Sequence, residues 1–137
     1  MPSNLELVKQ GFVDLEERGV EGMLPLFAED FELTTPPALV AEPDTYRGPE
    51  GIRRYFDSFY DAMEDVHFEP TGFHEVDDRV VVEFTLTARG RTTGIVAEQR
   101  AVQVWELRDG QAVRLEVYSG LDEALEAARL GGGVADE

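Results

Sequence analysis

The sequence predicts an α+β fold: a cone-shaped arrangement in which a curved mixed or antiparallel sheet is backed by three N-terminal helices and encloses a cavity. Three observations predict it. Apolar residues recur at helical spacing through the first half of the chain, and alternating strand patterns follow in the second half. That order is the layout of a sheet with its helices on one face. The stretch Arg100–Gly120, RAVQVWELRDGQAVRLEVYSG, reads as a long hairpin. Asp109-Gly110 sits between two alternating runs, and glycine takes the positive φ of a tight turn without steric cost. Finally, a twisted sheet curls. Three helices laid on it leave a hollow between the Phe12 and Phe56 stripes and the Val80–Ala88 and Trp105 faces.

Ser3 and Glu6 have capping-box spacing, and Leu5, Val8, Phe12 and Leu15 follow at three- and four-residue intervals. This predicts a helix over Asn4–Arg18 closed by Gly19. Met23, Leu24, Leu26 and Phe27 predict a second, short or irregular helix, because Pro25 is tolerated only in a first turn. Phe31–Thr35 reads as a strand ended by Pro36-Pro37. The stretch 36–47 carries three prolines and no period, as expected of a loop at the rim of a site. Gly48-Pro49 starts a third helix with the stripe Ile52, Phe56, Phe59 and Met63.

Val66–Val76 predicts a strand that is bulged or at an edge, given Pro70 and Gly72. Arg79–Arg91 is the cleanest strand. Val80, Val82, Phe84, Leu86 and Ala88 share one face, while Val81, Glu83, Thr85 and Thr87 share the other. Ile95–Leu107 and Gln111–Tyr118 are the hairpin arms. Leu121–Leu130 has helical spacing and is expected to pack at an edge of the sheet. Residues 1–130 are read as a single domain, and 131–137 as a flexible acidic tail.

Charge and composition exclude several classes. The 137 residues carry 29 Asp and Glu against 12 Lys and Arg, a formal charge of −17. Such a field repels nucleic acid and anionic lipid, so neither nucleic acid nor membrane is an expected partner. Eleven of the twelve basic residues are arginine, and Lys9 is the single lysine. Cysteine is absent, which removes disulfides and thiolate metal sites. The N-terminus has neither the basic nor the apolar region of a signal peptide, and no apolar run has membrane-spanning length. A cytoplasmic protein is expected.

The candidate chemistry is sparse. His67 and His74 are the only histidines and the weak candidates for a general base. Their spacing does not suggest a metal site, and no metal or cofactor is expected. Each is otherwise an exposed or edge residue. The expected ligand-binding residues are Phe12, Thr35, Tyr46, Phe56, Phe84, Gln103 and Trp105. Gln103 interrupts an apolar strand face, so its amide meets either a ligand or a neighbouring side chain or water. Tyr46 either closes over a ligand or anchors the loop to the third helix. Thr34 and Thr35 offer hydroxyls at the mouth, or are ordinary strand threonines. Tyr60 and Tyr118 are read as rim packing.

Three stretches carry a family resemblance. They are GVEGMLPLFAEDFEL (Gly19–Leu33), YRGPEGIRRYFDSF (Tyr46–Phe59) and VWELRDGQAVRLEVYSGLDEALEAARL (Val104–Leu130). In order and spacing they resemble the nuclear-transport-factor-2-like superfamily, in particular its SnoaL-like branch. The resemblance implies the helix-backed cone and a small-molecule pocket. It spans isomerases, polyketide cyclases, epoxide hydrolases, dehydratases and noncatalytic modules, so it does not choose a reaction.

Carried over residue by residue, the resemblance leaves gaps. The base position of the steroid isomerases falls on Thr35, and their oxyanion-hole tyrosine falls on Phe12. The acid that many SnoaL-like proteins keep two residues after the last-strand tyrosine falls on Gly120, two beyond Tyr118, unless Asp122 takes its place. Arg100 matches the arginine of an Asp-Arg-Asp set without two inward acids. The resemblance also implies a homodimer through the outer sheet face, where Val81, Val102 and Val104 add apolar area and Glu83 and Arg100 form a cross-strand pair. The function expected is a pocket for an apolar or cyclic metabolite. The alternative is a cofactor-independent isomerase, cyclase or hydrolase acting by proton transfer in the cavity.

Overall fold

The computed structural model describes residues 3–34 and 45–129, apart from the side chains of Thr45, Ser58 and Phe59. Thr35, the stretch 36–44 of the expected rim loop and the tail beyond Arg129 lie outside the described residues.

The first helix, α1 (Asn4–Arg18), starts and stops where its spacing and caps require. The Ser3 hydroxyl accepts from the Glu6 amide at 3.1 Å, and the Glu6 carboxylate accepts from the Ser3 amide at 2.9 Å. Gly19 closes the helix with a positive φ of 76°. A single turn, α2 (Val20–Met23), runs into a 3₁₀ turn over Leu24–Leu26, with Pro25 in its first positions.

Strand β1 (Phe27–Thr34) begins four residues before the strand expected at Phe31. Phe27, expected in the helix, is thus the first strand residue, because Pro25 restricts the preceding helix to tight turns. Phe31 and Leu33 share the buried face, as their alternation requires. A short strand, β2 (Thr45–Arg47), occupies the end of the expected loop.

Helix α3 (Gly48–Ala62) places Ile52 and Phe56 in the core. It ends one residue before Met63, which was expected on its stripe and instead opens strand β3 (Met63–Val76). Strands β4 (Arg79–Gly90), β5 (Val96–Arg108) and β6 (Gln111–Tyr118) follow, and helix α4 (Leu121–Arg129) ends the described chain. Between β5 and β6, Asp109 and Gly110 take φ of 54° and 81°. That pair of positive angles is what a two-residue hairpin of right-handed twist needs.

The six strands form one sheet in the order β2-β1-β6-β5-β4-β3. All neighbouring pairs are antiparallel except β1 with β6, which is parallel. The sheet is therefore mixed. Strand β3 is an outer edge, with register shifts between Glu64 and His67 and between Pro70 and Gly72. The proline and glycine had marked the second of these.

The main core lies between the helices and the concave face. It packs Val8, Phe12, Phe31, Ile52 and Phe56 onto Val80, Val82, Phe84, Trp105 and Leu115. The middle of the expected hollow is filled by aromatic side chains. Phe27 stacks on Trp105 with centroids 5.8 Å apart, and Phe12 meets the same indole edge-on at 6.3 Å.

A second, smaller core lies on the convex face, where Ala124 and Ala128 of α4 cover Val81, Val102 and Val104. Helix α4 therefore lies across the sheet rather than at its edge. The small alanine side chains let it approach the valine row closely. The apolar area that had been assigned to a dimer interface is covered by the chain itself.

Candidate functional site

Two hollows of similar size open on the described surface. One, of about 650 Å³, lies along the outer side of α3 and is walled by Arg47, Glu50, Arg53, Arg54, Asp57 and Asp61. Its walls are largely committed to one another or to their neighbours. Arg53 donates to Glu21 at 2.8 and 3.1 Å and to Glu50 at 3.1 Å, tying α2 to α3. The Arg54 guanidinium lies 4.5 Å from the Tyr46 ring centroid. The pair with Glu21 holds the Glu21 carboxyl below its ordinary pKa.

The other hollow has the character of a ligand site. It has a volume of about 630 Å³ and opens between α1 and the edge strand β3. Its apolar floor is formed by Phe12, Phe68 and Phe73, flanked by Val13 and Pro70. Its polar rim is formed by Lys9, Glu16, His67, Glu69 and Thr87. An apolar hollow with a few polar groups at its margin is the usual form of a small-molecule site. The edge position explains the mixture, because residues from both faces of a bulged outer strand can reach the gap beside α1.

The geometry of the rim follows from helix periodicity. Lys9, Phe12, Val13 and Glu16 stand at i, i+3, i+4 and i+7, which brings them to one side of α1. Lys9 and Glu16 are two turns apart, about 10 Å along the axis. At one end the Lys9 ammonium lies 5.2 Å from the Phe73 ring centroid. At the other, His67 Nδ1 is 3.1 Å from Glu16 Oε2. An ionised carboxylate can only accept, so in a neutral imidazole this contact favours the tautomer with its proton on Nδ1. In that tautomer the lone pair is on Nε2.

The expected residues are distributed around this site rather than gathered in it. Among the seven expected ligand-binding residues, Phe12 lines the hollow. It meets Phe73 edge-on at 6.3 Å and backs onto Trp105. Trp105 is only 1% exposed. Its indole N–H donates to Gln103 Oε1 at 2.8 Å, so the Gln103 amide oxygen is engaged by a neighbouring side chain, one of the two roles expected for it.

Phe56 and Phe84 lie behind the floor, with ring centroids 5.5 and 5.9 Å from Phe68. Tyr46 is buried against Tyr55 with centroids 5.2 Å apart, packing β2 onto α3. Thr35 lies outside the described residues. His74 faces the convex side, where its Nε2 is 2.9 Å from Glu83 Oε2. Glu83 thus bonds His74, and the expected Glu83–Arg100 pair does not form among the described residues. In the β4–β5 register Glu83 faces Val102 and Arg100 faces Thr85, so the two side chains stand two residues out of register.

Lys9, Glu16, Phe68, Phe73 and Thr87 were not expected at a site. For Lys9 and Glu16 the one signal was the i, i+3, i+4, i+7 series along α1; Phe68, Phe73 and Thr87 had none. Tyr55, Tyr60 and Tyr118 do not supply a base, since burial pushes their phenol pKa upward and keeps them protonated. Among the described residues no group of three His, Asp or Glu side chains is placed to hold a metal. No helix there is long and apolar enough to cross a membrane.

Comparison with known proteins agrees with this architecture. Residues 8–115 match the model of the SnoaL-like domain family. The chain belongs to that family. No curated protein matches it. Among solved structures, an NTF2-like protein of unknown function from Burkholderia pseudomallei K96243 is similar at 23% identity and a TM-score of 0.76, over 95% of this chain and 98% of that one. TerC, co-crystallised with polyporic acid, is similar at 26% identity and a TM-score of 0.74, over 91% and 97%. A Jannaschia sp. CCS1 protein described as a SnoaL-like polyketide cyclase is similar at 16% identity and a TM-score of 0.71, over 93% and 92%.

Proposed function

We propose that this SnoaL-like protein binds a small, mainly apolar, cyclic metabolite in the hollow between α1 and β3. The observation that carries the proposal is the floor of three phenylalanines, Phe12, Phe68 and Phe73, beneath a polar rim in a volume of about 630 Å³. That volume suits a molecule of one to three rings. The co-crystallisation of TerC with polyporic acid supports the choice of ligand class. A thermal-shift screen of ring-containing metabolites, confirmed by calorimetry, tests it. At a hundredfold excess over Kd, a ligand specific to the folded state adds about 2.7 kcal/mol. Val13→Trp, at the half-exposed wall, should remove the shift while the unliganded melting temperature is kept. Binding that survives this substitution would place the ligand elsewhere.

A second reading, cofactor-independent proton transfer, is favoured by the Glu16–His67 pair. Glu16 orients the imidazole, and Nε2 then accepts a proton from an acidic C–H while the electron pair remains on the substrate as an enolate. Solvent deuterium exchange into enolisable ring ketones, followed by NMR, tests it. The exchange should fall roughly 10²- to 10⁴-fold in His67→Gln. Equal exchange in both proteins would leave a binding protein alone.

A homodimer through the convex face remains part of the proposal. Because α4 covers the valine row, the interface would have to use the part around Glu83, Thr85 and Arg100. Light scattering at micromolar concentration tests it, and a monomer mass refutes it.

A further inference from the structure

Lys9 is the single lysine of a chain with 29 acidic residues, and it stands on the rim of the α1–β3 hollow. In so acidic a protein a surface ammonium would be expected to find a carboxylate. Among the described residues none lies within ion-pair distance of it. Its recorded contact is with the Phe73 ring, 5.2 Å from the centroid. Of the acids on neighbouring positions of α1, Glu6, three residues earlier, is bonded to the Ser3 amide, and Glu16, two turns on and about 10 Å along the axis, is bonded to His67. Glu69, the other rim carboxylate, stands on β3 and makes no ion pair with Lys9.

We infer that the molecule held between α1 and β3 is an organic anion whose charged end pairs with Lys9 while its ring system lies on Phe12, Phe68 and Phe73. The inference rests on the pocket proposed above and adds the chemical class of its ligand. The aromatic floor supplies contact area without specificity for charge. Lys9 supplies one positive point at one end, held in place by the Phe73 face. A carboxylate there gains a charge-assisted hydrogen bond from an ammonium that has no carboxylate partner among the described residues. The protein's net charge of −17 opposes approach from a distance. Beyond about 8 Å at physiological ionic strength that repulsion is screened, whereas contact at the rim is not. The opposite end of the ligand then lies beside His67.

The test compares three probes of one shape by calorimetry on the whole protein: 2-naphthoate, 2-naphthamide and 2-naphthylmethylammonium. The acid is expected to bind about fivefold tighter than the amide, the scale of one partly exposed charge pair, and tighter than the amine. Lys9→Met should abolish the preference for the acid over the amide. Lys9→Arg should keep the preference. Lys9 is exposed, so the melting temperature of each variant serves as the folding control. Equal binding of acid and amide, or tightest binding of the amine, overturns the inference and leaves the pocket standing. Binding of none of the three overturns both.

Discussion

Glu16 on α1 and His67 on β3 are joined by a 3.1 Å bond between Oε2 and Nδ1, across 51 residues of sequence. The bond ties the first helix to the outer edge of the sheet and sets which imidazole nitrogen carries the proton. With Glu16 ionised, the Nδ1–H form is favoured. Nitrogen-detected NMR of the neutral His67 ring should show that tautomer. Glu16→Leu should shift the population toward the Nε2–H form. An unchanged tautomer in the variant would separate the two side chains in solution.

Gln103 and Trp105 test the interior. Gln103 Oε1 accepts from the indole N–H at 2.8 Å in a site where the glutamine is 8% and the tryptophan 1% exposed. Gln103→Leu keeps the approximate volume and leaves a buried donor without its partner, at a cost of about 1–3 kcal/mol. Urea unfolding followed by Trp105 fluorescence measures it. A loss below about 0.5 kcal/mol would mean that water or another group replaces the amide.

Glu116 makes a pH prediction. Burial raises its carboxyl pKa, against the hydrogen bond donated by Tyr118 at 2.9 Å and the charge of Arg114. The folded state thus holds this proton more tightly than the unfolded chain, whose value is near 4.5. The resulting stabilisation is complete below that value and is lost as pH rises through the raised folded value. Glu116→Gln keeps an acceptor for Tyr118 and removes the charge. The melting temperature of the variant relative to the parent should increase from pH 4 toward pH 7. A difference that stays flat or reverses would refute the assignment.

The convex core makes the fourth prediction. Ala124 is 0% exposed and, with Ala128, covers Val81, Val102 and Val104. Ala124→Arg introduces a bulky charge there with no partner. A cost of about 3 kcal/mol or more is expected from denaturant unfolding. Separately, ending the chain after Gly120 bares the valine row, and light scattering should show self-association beyond that of the full chain. A monomeric truncated chain would contradict that role for α4.

Much of the architecture could be read from local signals. The Ser3/Glu6 box, the Gly19 stop, Asp109-Gly110 and the alternation of Val80–Ala88 each concern groups a few residues apart. Their geometry is dictated by the backbone alone. Phe27 and Met63 were misplaced because an apolar residue at an element boundary satisfies either period. The parallel pairing of β1 with β6 and the seat of α4 depend on long-range packing, and three buried alanines do not say which face they meet. The site was least legible. Phe56, Phe84 and Trp105 were correctly expected to be inward, but inward residues here fill the core. Apart from the buried Phe12, the hollow is instead made by exposed and half-buried groups of α1, β3 and Thr87 of β4, whose meeting only the fold reveals. The Gln103 amide had two possible partners by sequence, and Trp105 took its oxygen.

The placement of the hollow at a sheet edge has a consequence for how such a protein changes over time. Lys9, Val13, Glu16, His67 and Glu69 all reach solvent, so most replacements at the rim disturb no buried packing. Phe12 is different, since it touches both the hollow and the tryptophan behind it. Ligand preference can therefore drift by surface substitution while the structural scaffold is left alone, with Phe12 as the point where the two become inseparable.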